Sequence, residues 1–116
     1  RGYTPAKQAF QETLFGQSIS VITELELVAG TKTKTEMQKI IRLLKTLEIA
    51  VLPITEDVSK TAEKLFINFY HSHRLGIQDA LIAATAIVNN EELATHNRKH
   101  FTFIPNLKLL PPYPKV

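Results

Sequence analysis

The sequence predicts an α/β fold in which helices flank a central, mostly parallel sheet. Short apolar runs of the kind that form buried strands alternate with longer segments in which apolar residues recur at helical spacing. This alternation is typical of a parallel sheet between layers of helices. We expect a single domain over residues 1–116, because this length and an apolar content of 44% suffice for an ordinary core.

The first part of the chain predicts a helix, a strand and a second helix. Pro5 fits the start of a helix that reaches Phe15, because proline is favoured in the first helical position. Ile19–Ile22 is apolar except for one serine and is predicted to form a short buried strand. The next helix is expected to start at Thr23 and to end at Gly30, a typical stop residue.

The middle of the chain repeats this order. Thr35 and Gln38 have the spacing of a capping box, which predicts the start of a helix. Ala50–Ile54 is short, apolar and interrupted by proline, so we expect a strand that ends there. Thr55 is predicted to cap a long helix that ends before a polar turn at His71–Gly76.

The last part contains the most apolar helix of the chain. The segment Asp79–Val88 has only two polar residues, and a helix that is apolar on all faces belongs in a core. Leu93–Thr95 and Leu107–Leu110 are predicted to be the last strands. Between them, His96–Phe101 is expected to form a basic loop or a single turn.

Composition excludes several classes of protein. No apolar run approaches the ~20 residues of a membrane span, and the start has no signal-peptide layout. The absence of cysteine rules out disulfides and thiolate metal sites, which is compatible with the cytoplasmic location that we expect. The net charge of +3 permits an anionic partner such as nucleic acid.

Two carboxylates are candidate metal ligands, and each has a structural alternative. Thr23 and Glu26 have capping-box spacing, so Glu26 either closes the helix start or points from the first turn into a cleft. Asp79 is either an N-cap or a ligand, because a carboxylate against an apolar interior is costly unless it is capped, paired or bound to a metal.

The segment after the Leu93–Thr95 strand is a third candidate. It is either a solvated basic loop or a phosphate site, in which Thr95 and Asn97 face a metal-bound phosphate and Arg98 and Lys99 contact the nucleic-acid backbone. Oxygen ligands favour magnesium or manganese over zinc. The histidine pairs of the chain do not complete a zinc site, since no cysteine accompanies them and no carboxylate has the spacing of catalytic zinc ligands.

Four segments together resemble the PIN-domain family, and within it the VapC-type toxin ribonucleases of prokaryotic toxin–antitoxin pairs. They are Ile19–Gly30, Gln78–Ala86, Leu93–Phe101 and Ile104–Leu107. The resemblance implies a PIN-like three-layer fold and a homodimer. It also implies an endoribonuclease that depends on magnesium or manganese, and an antitoxin whose peptide binds in or near the catalytic cleft.

The resemblance assigns roles to individual residues. Glu26 and Asp79 fall on metal ligands of the family, and Asn97 falls where members carry Asn or Asp near the metal. Thr95 falls on the neighbouring hydroxyl. The residues expected to contact the RNA backbone are Arg74, Arg98, Lys99 and His100.

Two departures from the family pattern lead to a further expectation. Members open with a strand that ends in an aspartate, which nothing here matches, so we expect a PIN-like domain that lacks its first strand. Asn97 and His100 stand where some members have Asp. Two carboxylates hold a hard ion more weakly than three or four. We therefore expect weak magnesium binding and slow cleavage, with a catalytically impaired module that binds RNA or a protein as the alternative.

Overall fold

The computed structural model describes residues 18–95 and 97–110, in which strands and helices alternate. The elements are β1 (Ser18–Ser20), α1 (Val21–Ala29), α2 (Lys34–Thr46), β2 (Ala50–Leu52), α3 (Glu56–His73), α4 (Ile77–Val88), β3 (Glu92–Leu93), a short 3₁₀ helix (Arg98–His100) and β4 (Lys108–Leu109). The helix expected to start at Pro5 lies outside the described residues.

The strands of the described ranges pair in parallel. Ser18 lies opposite Ala50 in the β1–β2 pair, and Glu92 lies opposite Lys108 in the β3–β4 pair. Parallel neighbours require a crossover connection, which the helices supply. The predicted α/β class with parallel strands is confirmed. In the described residues these strands form two separate two-stranded sheets rather than the single central sheet that was expected.

The largest apolar cluster joins α3 and α4. Its members are Val58, Ala62, Leu65, Leu75, Ala80, Ile82, Ala83, Ala84, Phe101 and Ile104. The prediction that the Asp79–Val88 segment belongs in the core is confirmed, because six of the seven residues of α4 from Ala80 to Ala86 are buried. Thr85, only 2% exposed, is satisfied internally because its hydroxyl donates to the Leu81 carbonyl at 2.7 Å.

A second cluster lies on the α2 side of β1. It consists of the buried residues Ile19, Leu44 and Ile49. Since β1 also contacts α4, this strand lies between the two clusters, with helices on either side. This arrangement brings the end of β1, the start of α1 and the start of α4 to one region of the molecule.

The first described helix begins two residues earlier than the sequence suggested. Ser20 is its N-cap, and the Ser20 hydroxyl accepts a hydrogen bond from the Ile22 N–H at 2.9 Å. The predicted helix start at Thr23 and the predicted strand end at Ile22 are therefore wrong. The Ser20 hydroxyl caps the helix before either residue is reached, so the strand ends at Ser20. The predicted end at Gly30 is confirmed.

The other helix boundaries agree in part. The N-cap of α2 is Thr33 and not the predicted Thr35, since the Thr33 hydroxyl accepts a hydrogen bond from the Glu36 N–H at 3.1 Å. Thr55 caps α3 as predicted. That helix continues through His73, so the expected turn is shortened, and Arg74 ends the helix with a left-handed φ of 56°.

The strands are shorter than predicted. The β2 strand stops at Leu52, directly before Pro53, which has no N–H for a ladder. The β3 strand covers Glu92–Leu93, so Thr95 lies just beyond its end, where a ligand can reach it. None of the helices in the described ranges is both long and apolar enough to cross a membrane.

Candidate active site

One cleft brings together the four residues predicted to be catalytic. Its volume is about 240 Å³, and its lining residues are Thr23, Glu26, Asp79, Ile82, Leu93, Ala94, Thr95, Asn97 and Phe101. Sites of parallel α/β folds lie beyond the carboxyl ends of the strands. The cleft has this position, because α1 follows directly on β1 and Thr95 follows β3.

The cap at Ser20 decides between the two interpretations of Glu26. With Val21 as the first helical residue, Thr23 and Glu26 lie inside α1, and Glu26 is in its second turn. The capping-box interpretation is therefore wrong, and so is the expected position in the first turn. Residues three apart share a helix face, and both of these side chains line the cleft.

Asp79 is not the cap of its helix either. The N-cap of α4 is Gly76, which has no side chain that could cap the helix. Asp79 is the third residue of this helix. A carboxylate in the first turn is favoured by the helix dipole. Its Oδ2 atom lies 3.2 Å from Nδ1 of His100, within hydrogen-bond range for the imidazole N–H. The Asp79 side chain is 29% exposed, so part of it remains open to a ligand.

The end of β3 supplies a hydroxyl and an amide. The Asn97 N–H donates to the Thr95 hydroxyl oxygen at 3.0 Å, which closes a tight turn between these two residues. The Thr95 hydroxyl acts here as an acceptor and keeps its own O–H to donate. Both residues line the cleft beside Glu26 and Asp79.

The residues expected to contact RNA are separated by the structure. The Arg98 guanidinium donates to the Leu110 carbonyl and so ties the 3₁₀ helix to the end of β4. Lys99 and His100 are exposed on that helix. Arg74 is exposed at the end of α3, with its guanidinium 5.4 Å from the Tyr70 ring centroid. None of these cations belongs to the cleft lining, although His100 reaches it through Asp79.

The donor set of the cleft fits a hard cation. It offers two carboxylates, two hydroxyls and an amide, and oxygen ligands of this kind are those that magnesium and manganese prefer. In the part of the chain that the structure describes, no group of three or more histidine, aspartate or glutamate residues lies close enough together to hold a metal ion. Residues 18–95 and 97–110 thus present two cleft carboxylates and no further acidic ligand grouped with them.

The hydrogen bond between His100 and Asp79 was not predicted from the sequence. The two residues are 21 positions apart, so no local spacing indicates the contact. The apolar walls of the cleft were also missed as site residues. Ile82, Leu93 and Phe101 belong to ordinary apolar patterns, and only the tertiary arrangement gives them a place beside the carboxylates.

This combination of fold and cleft is that of a PIN domain, and the description of the PIN domain family matches residues 4–104 of the chain. Ribonuclease VapC10 from Mycobacterium tuberculosis is 38% identical over 97 residues, which cover 83% of this chain and 69% of the relative. The chain belongs to the PIN-domain family, and its curated relatives are VapC proteins.

Solved structures agree with this assignment. A chain of a toxin–antitoxin complex from Klebsiella pneumoniae superposes with a TM-score of 0.73 and 31% identity, covering 97% of this chain and 87% of the other. A chain of VapBC2 from Rickettsia felis, crystallised with a DNA fragment from the promoter, gives a TM-score of 0.71 and 27% identity, covering 93% and 86%. The fold of the described residues is thus close to that of these proteins.

Proposed function

We propose that this chain is a VapC-type toxin that acts as a metal-dependent endoribonuclease and hydrolyses RNA phosphodiester bonds. The observation that carries the proposal is the meeting of Glu26 and Asp79 in one cleft with Thr95 and Asn97. Neither carboxylate caps its helix, and only one oxygen of Asp79 is occupied, by the contact with His100. The ribonuclease names of the curated relatives support the same activity.

In this proposal Glu26 and Asp79 hold a magnesium or manganese ion. A bound ion of this kind activates water and offsets the negative charge of a phosphate. The Thr95 hydroxyl donates to a phosphate oxygen, and the Asn97 amide orients the phosphate or the attacking water. His100 restrains Asp79 through Oδ2, which leaves the other carboxylate oxygen for the ion.

The cations outside the cleft serve to hold the RNA backbone. Lys99 and His100 are exposed beside the cleft, and Arg74 lies at the start of the segment that leads into α4. Arg98 has a structural role instead, since its hydrogen bond to the Leu110 carbonyl holds the 3₁₀ helix against the end of β4. A net charge of +3 suits an anionic substrate.

The proposal extends to partners and location. The similar solved chains come from toxin–antitoxin complexes, which supports an antitoxin as a partner of this chain. We further propose a homodimer, which the family resemblance implies, and a cytoplasmic location. The alternative is a catalytically impaired module that binds RNA or a protein. Its support is that only two carboxylates are grouped in the cleft within the described residues. The names of the ribonuclease relatives favour the enzyme.

Replacing Asp79 tests the proposal. Asp79→Asn should abolish cleavage of a labelled RNA in magnesium or manganese, and it should weaken Mn²⁺ binding measured by electron paramagnetic resonance. Asp57→Asn is the matched control, because Asp57 is also in the first turn of a helix but is exposed at the start of α3. Full activity of Asp79→Asn would refute the assignment, and equal losses in both variants would point to a general loss of folding.

A further inference from the structure

An exposed histidine at the end of α3 is held in one orientation. The His73 ring stacks on the Phe103 ring, with centroids 4.1 Å apart and planes 14° apart. Its edge meets Phe69 at 5.8 Å and 71°. The Ser72 hydroxyl lies 2.8 Å from His73 Nδ1. Three contacts thus orient an imidazole whose residue is exposed to solvent.

The stack has one open side. Phe103 is half-buried and packs against Phe69 at 5.2 Å, so it is supported from the core. His73 covers Phe103 with one face. Since His73 is exposed, its remaining ring surface faces solvent, where a further flat group can stack on it. A ring already ordered in this way loses little conformational entropy when a ligand binds.

An arginine follows the stacked histidine in the sequence. Arg74 directly follows His73, is exposed, and sits over the Tyr70 ring within the range of a cation–π contact. We call Tyr70, His73, Arg74 and Phe103 the aromatic patch. Aromatic rings beside an arginine are the chemistry by which proteins bind the bases and phosphates of single-stranded RNA. Aliphatic residues alone would suit a protein partner better.

The aromatic patch adjoins the cleft along the chain. Phe103 comes three residues after His100, whose ring contacts Asp79, and three residues span at most about 11 Å. Arg74 comes shortly before α4, and Asp79 is in the first turn of that helix. A stacked strand rises about 3.4 Å per nucleotide, so roughly three nucleotides cover the interval from His100 to Phe103.

We propose that the aromatic patch is a stacking subsite for a base of the RNA whose phosphate lies in the cleft. The base stacks on the open face of His73, and Arg74 contacts the adjacent backbone. Because every base has a flat face, such a subsite adds affinity with little preference for sequence. The proposal rests on the ribonuclease function proposed above, and it adds a second RNA-binding position outside the cleft.

His73→Leu tests the subsite, because leucine still covers Phe103 but offers no aromatic face. The probe is a single-stranded RNA oligomer with a fluorescent purine analogue, titrated without divalent metal so that it is not cleaved. We expect His73→Leu to weaken binding at least about fivefold, corresponding to about 1 kcal/mol or more for one stacked base. His73→Phe should restore both the affinity and the quenching of the purine.

His71→Leu is the matched control, since His71 is an exposed histidine on the same helix that contacts the Tyr70 ring at 5.1 Å but takes no part in the His73–Phe103 stack. Its affinity should equal that of the unmodified protein, and thermal unfolding should be alike in all variants. Equal RNA affinity of His73→Leu and the unmodified protein overturns the subsite and is the result expected of a surface that binds a protein instead. If the unmodified protein neither binds nor cleaves RNA, the proposed function fails as well.

Discussion

The cap at Ser20 gives the sharpest test of how the site is built. Ser20→Ala removes the hydroxyl that accepts the Ile22 N–H at 2.9 Å and leaves that donor without its partner. Loss of a serine N-cap costs about 0.5–2 kcal/mol. Ser20 is only 6% exposed, so water replaces the lost acceptor poorly, and we expect about 1.5 kcal/mol.

The expected change is large enough to measure by thermal unfolding. At about 2.1 cal/mol/K per residue, the unfolding entropy of 116 residues is about 0.24 kcal/mol/K, so 1.5 kcal/mol lowers Tm by about 6 °C. The measurement is the loss of circular dichroism on heating. The free energy of unfolding from urea titration provides an independent value.

Two further variants make this test specific. Thr33→Ala removes the cap of α2, which is exposed, so we expect a smaller loss of about 0.5–1 kcal/mol. Thr23→Ala should cost still less, because Thr23 lies within α1 and alanine has the higher helix propensity. A larger loss for Thr23→Ala than for Ser20→Ala would refute the cap at Ser20 and restore the capping box.

Three other predictions concern the cleft and the cations outside it. Glu26→Gln should weaken Mn²⁺ binding and RNA cleavage, whereas Glu24→Gln should leave both unchanged because Glu24 is not part of the cleft lining; equal effects would refute the assignment of Glu26. Lys99→Ala should lower RNA affinity and reduce the slope of log affinity against log salt by about 1, with unchanged stability. Arg98→Ala should instead cost about 1.5 kcal/mol of stability, because it removes the bond to the Leu110 carbonyl, and intact stability would contradict that role.

The sequence predicted the fold because the relevant signals are local. The apolar character of Asp79–Val88 indicates a buried helix in any context, and α4 occupies the core as expected. The start of α1 is different. Ser20 and Thr23 are both good N-caps by residue type, and the choice depends on where β1 stops pairing with β2, which is a tertiary property.

The sequence named the four residues that the cleft brings together, but not their contacts. Asp79 is a candidate because a carboxylate against an apolar helix is costly, and Glu26 is one because it follows the end of a predicted strand. By residue type alone, both could equally belong to helix caps. Only the positions of Ser20 and Gly76 separate the two interpretations. The contact of His100 with Asp79 joins residues 21 positions apart and depends on how the 3₁₀ helix packs near α4.

This division of roles has a consequence for stability. Since Ser20 and Gly76 occupy the cap positions, Glu26 and Asp79 are not needed to start their helices. Both carboxylates line one cleft. Glu26→Gln should therefore leave the metal-free protein about as stable as before. Asp79→Asn should lower its stability slightly, because it removes a first-turn carboxylate that the helix dipole favours and that contacts His100. Both variants should lose metal binding.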